Sequence, residues 1–209
     1  MRELAVFLFV PTLALAQADR PVPPPGLSPE LRQPTPATMS ARPAPGVTLG
    51  SLRVSLEETP MAAVLKAAGA GVFDQAGEVV WICYTVPGKP SASRLWLMSD
   101  GADGSVYGVS VFRLVGTAGA AKRCPSLPAR LRPMKFDRGL ALGMSAAQVT
   151  EKLGEPSRKS KDWWIYHQET RVPSKFQGEV VEFTAFNTLF VHLKDGAVDA
   201  VRAYVNTVN

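Results

Sequence analysis

The sequence predicts an α+β fold built from two tandem repeats, each with one or two short helices packed on a three- to four-stranded antiparallel sheet. Three observations support this prediction. A capped helix signature at residues 143–156 has a weaker copy at residues 59–69. Each helix is followed by a Trp-x-x-Tyr segment, at residues 81–84 and 163–166. Each of these segments is followed by further β-rich sequence with hairpin signals such as Asp-Gly.

The N-terminus has the features of a secretory signal peptide. Residues 4–16 are nearly all apolar, and small-x-small patterns end at Ala16 and Ala18. The run is too short to span a bilayer, so we expect cleavage after residue 16 or 18. No cysteine follows it as a lipid attachment point, and no other apolar run has the length of a membrane span. These features predict a periplasmic or secreted protein.

Residues 17–45 predict a disordered leader. They contain nine of the eighteen prolines and few large apolar side chains. Such a segment cannot bury enough surface to offset the entropy of ordering it. We interpret it as a spacer, with a ligand for a proline-reading domain as the alternative.

The first repeat, residues 46–115, is the divergent one. Thr59 is expected to cap its helix, Pro60 to occupy the first helical position and Gly69 to end it. Cys83 lies in the Trp-x-x-Tyr segment that follows. In an exported chain, the two cysteines Cys83 and Cys124 predict one disulfide bond, although a buried Cys83 and a free Cys124 would be the alternative.

The connector between the repeats, residues 116–135, is basic. Residues 114–135 carry five basic side chains and no acidic one, which equals the whole net charge of +5. A solvated linker is the simplest interpretation, and contact with an acidic partner is the alternative. We predict no nucleic-acid partner, because the signal peptide pattern indicates export and the chain lacks interleaved aromatic and basic residues.

The second repeat, residues 136–209, has sequence signals for both the start and the end of its helix. Ser145 and Gln148 have the spacing of a capping box. Gly154 is expected to end the helix in a left-handed conformation, and Pro156 prevents its continuation.

This second repeat resembles the BamE-type (SmpA/OmlA) small outer-membrane-assembly lipoprotein domain. The residues that match its helix pattern are Gly143, Met144, Ser145, Gln148, Val149, Leu153, Gly154 and Pro156. Two such units in tandem are similar in plan to the β-lactamase inhibitory proteins. The resemblance implies a role in the cell envelope. It departs from the lipoprotein family at Gln17 and Asp19, which stand where that family has an acylated cysteine.

The sequence contains no recognisable catalytic motif. His167 and His192 are the only histidines, and neither lies in a nucleophile or metal-binding pattern. We therefore predict a protein that is not an enzyme and that needs no cofactor or metal.

The Trp-x-x-Tyr segments are apolar on both faces, although a sheet covered by helices on one side should alternate with polar residues. The second face must therefore be covered, either by the other repeat or by a partner protein. Trp and Tyr dominate interface hot spots. The candidate partner-binding residues are Trp81, Tyr84, Trp96, Trp163, Trp164, Tyr166 and Phe190.

The function predicted from sequence is an exported protein-binding module, accessory to cell-envelope or outer-membrane assembly, whose partner is another envelope or secreted protein. A periplasmic or secreted enzyme inhibitor of the β-lactamase inhibitory type is the first alternative. An enzyme or small-ligand-binding protein with an unrecognised site is the second. The oligomeric state stays open.

Overall fold

A computed structural model describes residues 24–26, 29–32, 35, 46–71, 73–89, 91–101, 104–114, 124–176 and 178–208. The predicted signal peptide, most of the predicted leader and residues 116–123 of the predicted connector lie outside this set. Within the described residues, no helix has the length and apolar character needed to cross a membrane.

The smaller of the two sheets formed by the described residues has three strands in the order β2-β1-β7. They are β1 (Gly46–Leu49), β2 (Leu52–Ser55) and β7 (Met134–Phe136). Gly50 turns β1 into β2 with a φ of +59°, and a Cβ atom there would lie 2.2 Å from the Arg130 carbonyl oxygen. Only glycine fits at this position because both the left-handed conformation and the close approach exclude a side chain.

The larger sheet has eight strands in the order β3-β4-β5-β6-β11-β10-β9-β8, all paired antiparallel. In chain order, the first four strands of this sheet are β3 (Asp74–Ala76), β4 (Val79–Val86), β5 (Ser93–Ser99) and β6 (Gly108–Arg113). The last four strands are β8 (Arg158–Ser160), β9 (Trp163–Phe176), β10 (Glu179–Lys194) and β11 (Ala197–Val208).

The two halves of this sheet share one element order, a helix followed by four strands. Helix α1 (Met61–Ala68) precedes β3 to β6, and helix α2 (Ala146–Leu153) precedes β8 to β11. The described residues are mostly β with two α-helices, in broad agreement with an α+β class. The prediction of two separate three- to four-stranded sheets is corrected, because β6 and β11 pair from Phe112 with Ala200 to Gly108 with Tyr204. This pairing removes two edges whose backbone N–H and C=O groups would otherwise lack partners.

The main hydrophobic core lies between one face of the large sheet and the two helices with the small sheet. Two adjacent rows of side chains cross all six central strands on this face. They are Tyr84, Leu95, Val111, Val201, Val191 and Trp164 in one row, and Ile82, Leu97, Val109, Ala203, Leu189 and Tyr166 in the next. The segments that lead into the helices contribute Val54, Leu56 and Leu140, all buried.

The N-terminus of α2 and the C-terminus of α1 agree with the sequence prediction, and the other two helix ends differ from it. Gly69 ends α1, in a left-handed conformation. Gly154 ends α2 with a φ of 78° and a ψ of −168°, which lies outside the left-handed helical region predicted for it.

Ser145 and Gln148 form the predicted capping box. Thr59 does not cap α1, because its Oγ1 accepts a hydrogen bond from the Ser55 N–H and closes the preceding turn. Pro60 is therefore the N-cap residue, with no side-chain cap.

The predicted disulfide bond is confirmed between Cys83 and Cys124, which are 41 residues apart. The bond attaches residues 124–127 to the edge of β4. There the Thr85 N–H donates to the Pro125 carbonyl oxygen, and the Leu127 N–H donates to that of Thr85. Leu127 is buried, so this part of the predicted basic connector packs on the fold and is not a solvated linker.

Candidate protein-binding face

The face of the large sheet opposite the helices carries most of its aromatic side chains, and we call it the aromatic face. Three rows of side chains cross it. They are Trp81, Met98, Gly108, Tyr204, Thr188 and His167 in the first row, Cys83, Trp96, Ser110, Arg202, Phe190 and Ile165 in the second, and Thr85, Arg94, Phe112, Ala200, His192 and Trp163 in the third. The pairing of β6 with β11 makes these rows continuous across both halves.

Four of the seven predicted partner-binding residues lie together on the aromatic face, namely Trp81, Trp96, Trp163 and Phe190. The other three, Tyr84, Trp164 and Tyr166, point to the helices and pack in or against the main core. The division follows from the two-residue period of a strand, which sends Trp163 and Trp164 to opposite faces.

Trp163 lies at the centre of a group of rings on the aromatic face. Its ring centroid is 4.7 Å from that of His192 and 6.5 Å from those of Phe112 and Phe190, both in edge-on geometry. Phe190 in turn contacts Tyr204 at 6.2 Å. Sequence reasoning missed Phe112, Tyr204 and His192. The signal that could have found them is that each alternates with core residues on its strand, which places them on the same face as Trp163.

The aromatic face is buried at its centre and half-buried around Trp163. Trp81 and Trp96 are each 3 % exposed and pack with Cys124. Phe190 packs with Leu31, which belongs to a 3₁₀ turn at Pro29–Arg32 in the predicted leader. Two segments of the same chain therefore cover parts of this face, an arrangement that sequence reasoning did not consider.

The half-buried residues of the aromatic face include Phe112, Trp163, His192 and Tyr204, which lie around Trp163, and also Thr85, Thr188 and His167. The four residues around Trp163 lie on four different strands, and three of them, Phe112, His192 and Trp163, share one row. We call these four residues the Trp163 cluster, and their side chains are partly accessible to solvent.

Arg202 lies beneath the Trp163 cluster and is 1 % exposed. Its guanidinium carbon is 5.1 Å from the centroid of the Phe112 ring, and its Nε and Nη2 atoms have no hydrogen-bond partner. Burial lowers the pKa of this guanidinium because the charged form loses its hydration. A buried donor without an acceptor destabilises the folded state, so Arg202 is a costly side chain on this face.

The two histidines do not form a joint site. His192 Nδ1 is hydrogen-bonded to Asp199 Oδ1, and His167 Nδ1 to Thr188 Oγ1 at 2.8 Å. Thr188 and His192 are four residues apart on β10, which places the histidines about 13 Å apart along the strand direction. Among the described residues, no group of three or more His, Cys, Asp or Glu side chains could hold a metal ion.

No protein-family model matches the chain, and no curated protein matches it by sequence. Comparison with solved structures finds a crystal structure from Streptococcus mutans described as a "putative beta-lactamase inhibitor protein". The match has 15% sequence identity and a TM-score of 0.21, and it covers 78% of this chain and 91% of that chain. At this TM-score the likeness carries no argument about fold or function. The resemblance to the BamE-type domain stays a prediction.

Proposed function

We propose that the protein is an exported, non-enzymatic binding module that contacts another envelope or secreted protein through its aromatic face. The observation that carries this proposal is the Trp163 cluster, a half-buried group of aromatic rings on the sheet face opposite the helices. Partly exposed Trp and Tyr side chains with an arginine below them have the composition of interface hot spots.

Export is part of the proposal and rests on two features. The first 16 residues have the pattern of a signal peptide. The Cys83–Cys124 disulfide bond is of a kind that persists in oxidising compartments such as the periplasm and the extracellular space. The BamE-type helix pattern of the second half favours the envelope as the place of action.

We further propose that the partner displaces the turn at Pro29–Arg32. The turn has four residues, and Leu31 is its buried apolar anchor on Ile165 and Phe190. Burial of one leucine side chain stabilises by about 1.5–3 kcal/mol. A partner that inserts its own apolar side chain at this position can compensate for that loss and gain access to Phe190.

The test is binding to a partner recovered from the envelope of the producing organism. Crosslinked complexes of the full chain are purified, the partner is identified, and its dissociation constant is measured by calorimetry. Trp163→Ala is expected to raise that constant at least tenfold, because hot-spot side chains contribute about 2 kcal/mol or more. The matched control is Val180→Ala, since Val180 is 69% exposed on the β9–β10 hairpin. Equal binding by wild type and Trp163→Ala would refute the proposal.

An inhibitor of the β-lactamase inhibitory type is the second candidate function. The observation that favours it is the plan of the large sheet, in which a helix followed by four strands occurs twice. The resemblance to the β-lactamase inhibitory proteins implies the same plan, two units in tandem in one exported chain. Titration of the protein against a panel of β-lactamases tests this candidate. Inhibition at micromolar concentration that Trp163→Ala abolishes would support it, and absence of inhibition across the panel would exclude it.

A further inference from the structure

A cleft of ≈ 550 Å³ lies at one end of the large sheet, away from the aromatic face. Val86, Ser93 and Arg113 are paired in register at the ends of three neighbouring strands, and they line one wall. The opposite wall is formed by residues 132–134, 136 and 140–142. The volume is within the range of pockets that hold small molecules.

The floor of the cleft is apolar. Phe136 and Leu140 are buried there, and Leu142 is half-buried. The sheet contributes Val86, which is 8% exposed. A ligand with a hydrocarbon body would therefore remove apolar surface from water on both walls.

The rim of the cleft is cationic. Lys89, Arg113 and Arg132 line it, and no acidic side chain is among the described residues that do so. Within the described part of the chain none of these three cations makes an ion pair. The hydroxyl oxygen of Ser91, on the same rim, is buried without a hydrogen-bond partner. Three unpaired cations and an unsatisfied hydroxyl group around an apolar floor leave the site short of hydrogen-bond acceptors.

We infer that this cleft binds a small amphipathic anion, whose hydrocarbon body lies on Val86, Phe136 and Leu142 and whose oxyanion is held by Arg113 and Arg132. The planar guanidinium group matches both carboxylate and phosphate oxygens in a two-point geometry, so either headgroup has the required chemistry. The site does not overlap the aromatic face, and its occupancy does not depend on the proposed protein partner.

The experiment measures binding of four probes to the full chain by calorimetry, below their critical micelle concentrations. Decanoate and monodecyl phosphate carry a hydrocarbon body and an oxyanion, decan-1-ol lacks the charge, and glutarate lacks the body. At least one of the two amphipathic anions is expected to bind ten times more tightly than both decan-1-ol and glutarate. Tighter binding of decanoate assigns a carboxylate ligand, and tighter binding of monodecyl phosphate assigns a phosphate ligand.

Variants in the cleft and one variant outside it test whether the probes bind in the cleft. Arg113→Gln combined with Arg132→Gln is expected to raise the dissociation constant of the preferred anion at least tenfold and to leave that of decan-1-ol unchanged. Leu142→Asn is expected to weaken the anion and the alcohol alike. Arg171→Gln is the matched control, because Arg171 is an exposed arginine on β9 that does not line the cleft.

The inference is overturned if decan-1-ol binds as tightly as both anions. It is also overturned if the double arginine variant, folded by circular dichroism, binds the preferred anion like the wild type. Backbone amide shifts of residues 86–89 and 140–142 on titration with the preferred anion give an independent location of the site. Shifts confined to other residues contradict it.

Discussion

Tyr84 and Tyr166 make equivalent hydrogen bonds in the two halves of the large sheet. The Tyr84 hydroxyl donates to the Ala70 carbonyl oxygen at 2.8 Å, just after the end of α1. The Tyr166 hydroxyl donates to the Gly154 carbonyl oxygen at 3.1 Å, at the end of α2. Each tyrosine therefore links the C-terminal end of its helix to the strand that carries its Trp-x-x-Tyr segment. This equivalence is what the sequence-based prediction of two divergent copies of one unit would lead us to expect.

The first prediction concerns stability at alkaline pH. Burial raises the pKa of Tyr84 to about 12 from its ordinary value of 10.0, and it also raises that of Tyr166. The folded protein therefore retains a proton on Tyr84 that the unfolded chain loses above pH 10. The contribution of Tyr84 to the free energy of unfolding is fully present below pH 10. It falls by roughly 2–3 kcal/mol as the pH rises from 10 to about 12. Urea unfolding at half-unit steps from pH 8 to pH 12 measures it.

Tyr84→Phe isolates this contribution from the titration of lysines. At pH 8 the variant is expected to be about 1 kcal/mol less stable than wild type, because it lacks the hydrogen bond to Ala70. The difference should shrink and then reverse as the pH approaches 12. A difference that stays constant over the whole pH range would contradict the prediction.

The second prediction concerns the Cys83–Cys124 disulfide bond. It closes a loop of about 40 residues, and loss of that constraint costs roughly 4 kcal/mol in the chain-entropy description. Both sulfur atoms are buried, so reduction has to be carried out in denaturant before refolding. Reduced wild type and Cys83→Ser/Cys124→Ser should both unfold at lower urea concentration than the oxidised protein. Equal urea midpoints for reduced and oxidised protein would show that the bond does not contribute.

Local features of this fold could be predicted from sequence. The capping box of Ser145 and Gln148 lies where the spacing placed it, because the signal involves residues three apart on one turn of helix. The Cys83–Cys124 bond was predicted from the count of two cysteines and the signal peptide pattern, without knowledge of the fold. Both are cases in which few residues determine the outcome.

The single sheet could not be predicted in the same way. The pairing of Phe112 with Ala200 joins residues almost ninety positions apart, and no turn signal connects their strands. The cover supplied by Leu31 is equally non-local, since it depends on one leucine in a proline-rich segment. The candidate site was grouped by residue type alone, although the two-residue period of a strand places Trp163 and Tyr166 on opposite faces. Which of the two faces the helices cover follows only from the packing of the core.

The third prediction concerns the N-terminal cap of α2. Ser145→Ala removes the acceptor for the Gln148 N–H, which should lower the free energy of unfolding by about 1 kcal/mol. Urea denaturation followed by circular dichroism measures the loss. Ser51→Ala, at an exposed turn residue, is the control and should change stability by less than about 0.5 kcal/mol. Equal losses in the two variants would contradict a specific capping role.

The fourth prediction concerns Arg202, whose effects on stability and on binding should have opposite signs. Arg202→Met fills a similar volume next to Phe112 and removes a buried guanidinium group with two unsatisfied nitrogen atoms. The variant should be more stable than wild type, by up to about 4 kcal/mol, the upper end of the range found when buried ion pairs are replaced by packed apolar residues. The exposed Arg171→Met is the matched control and should change stability by less than about 0.5 kcal/mol.

Binding distinguishes a functional Arg202 from a purely structural one. If the partner uses the aromatic face, Arg202→Met should raise its dissociation constant although the free protein becomes more stable, since functional residues are often retained at a cost in stability. Calorimetry with the purified partner and urea unfolding of the same preparations provide the two measurements. A variant that is less stable than wild type would show that Arg202 supports the fold through contacts with Phe112, and a variant that is more stable with unchanged affinity would place the partner elsewhere.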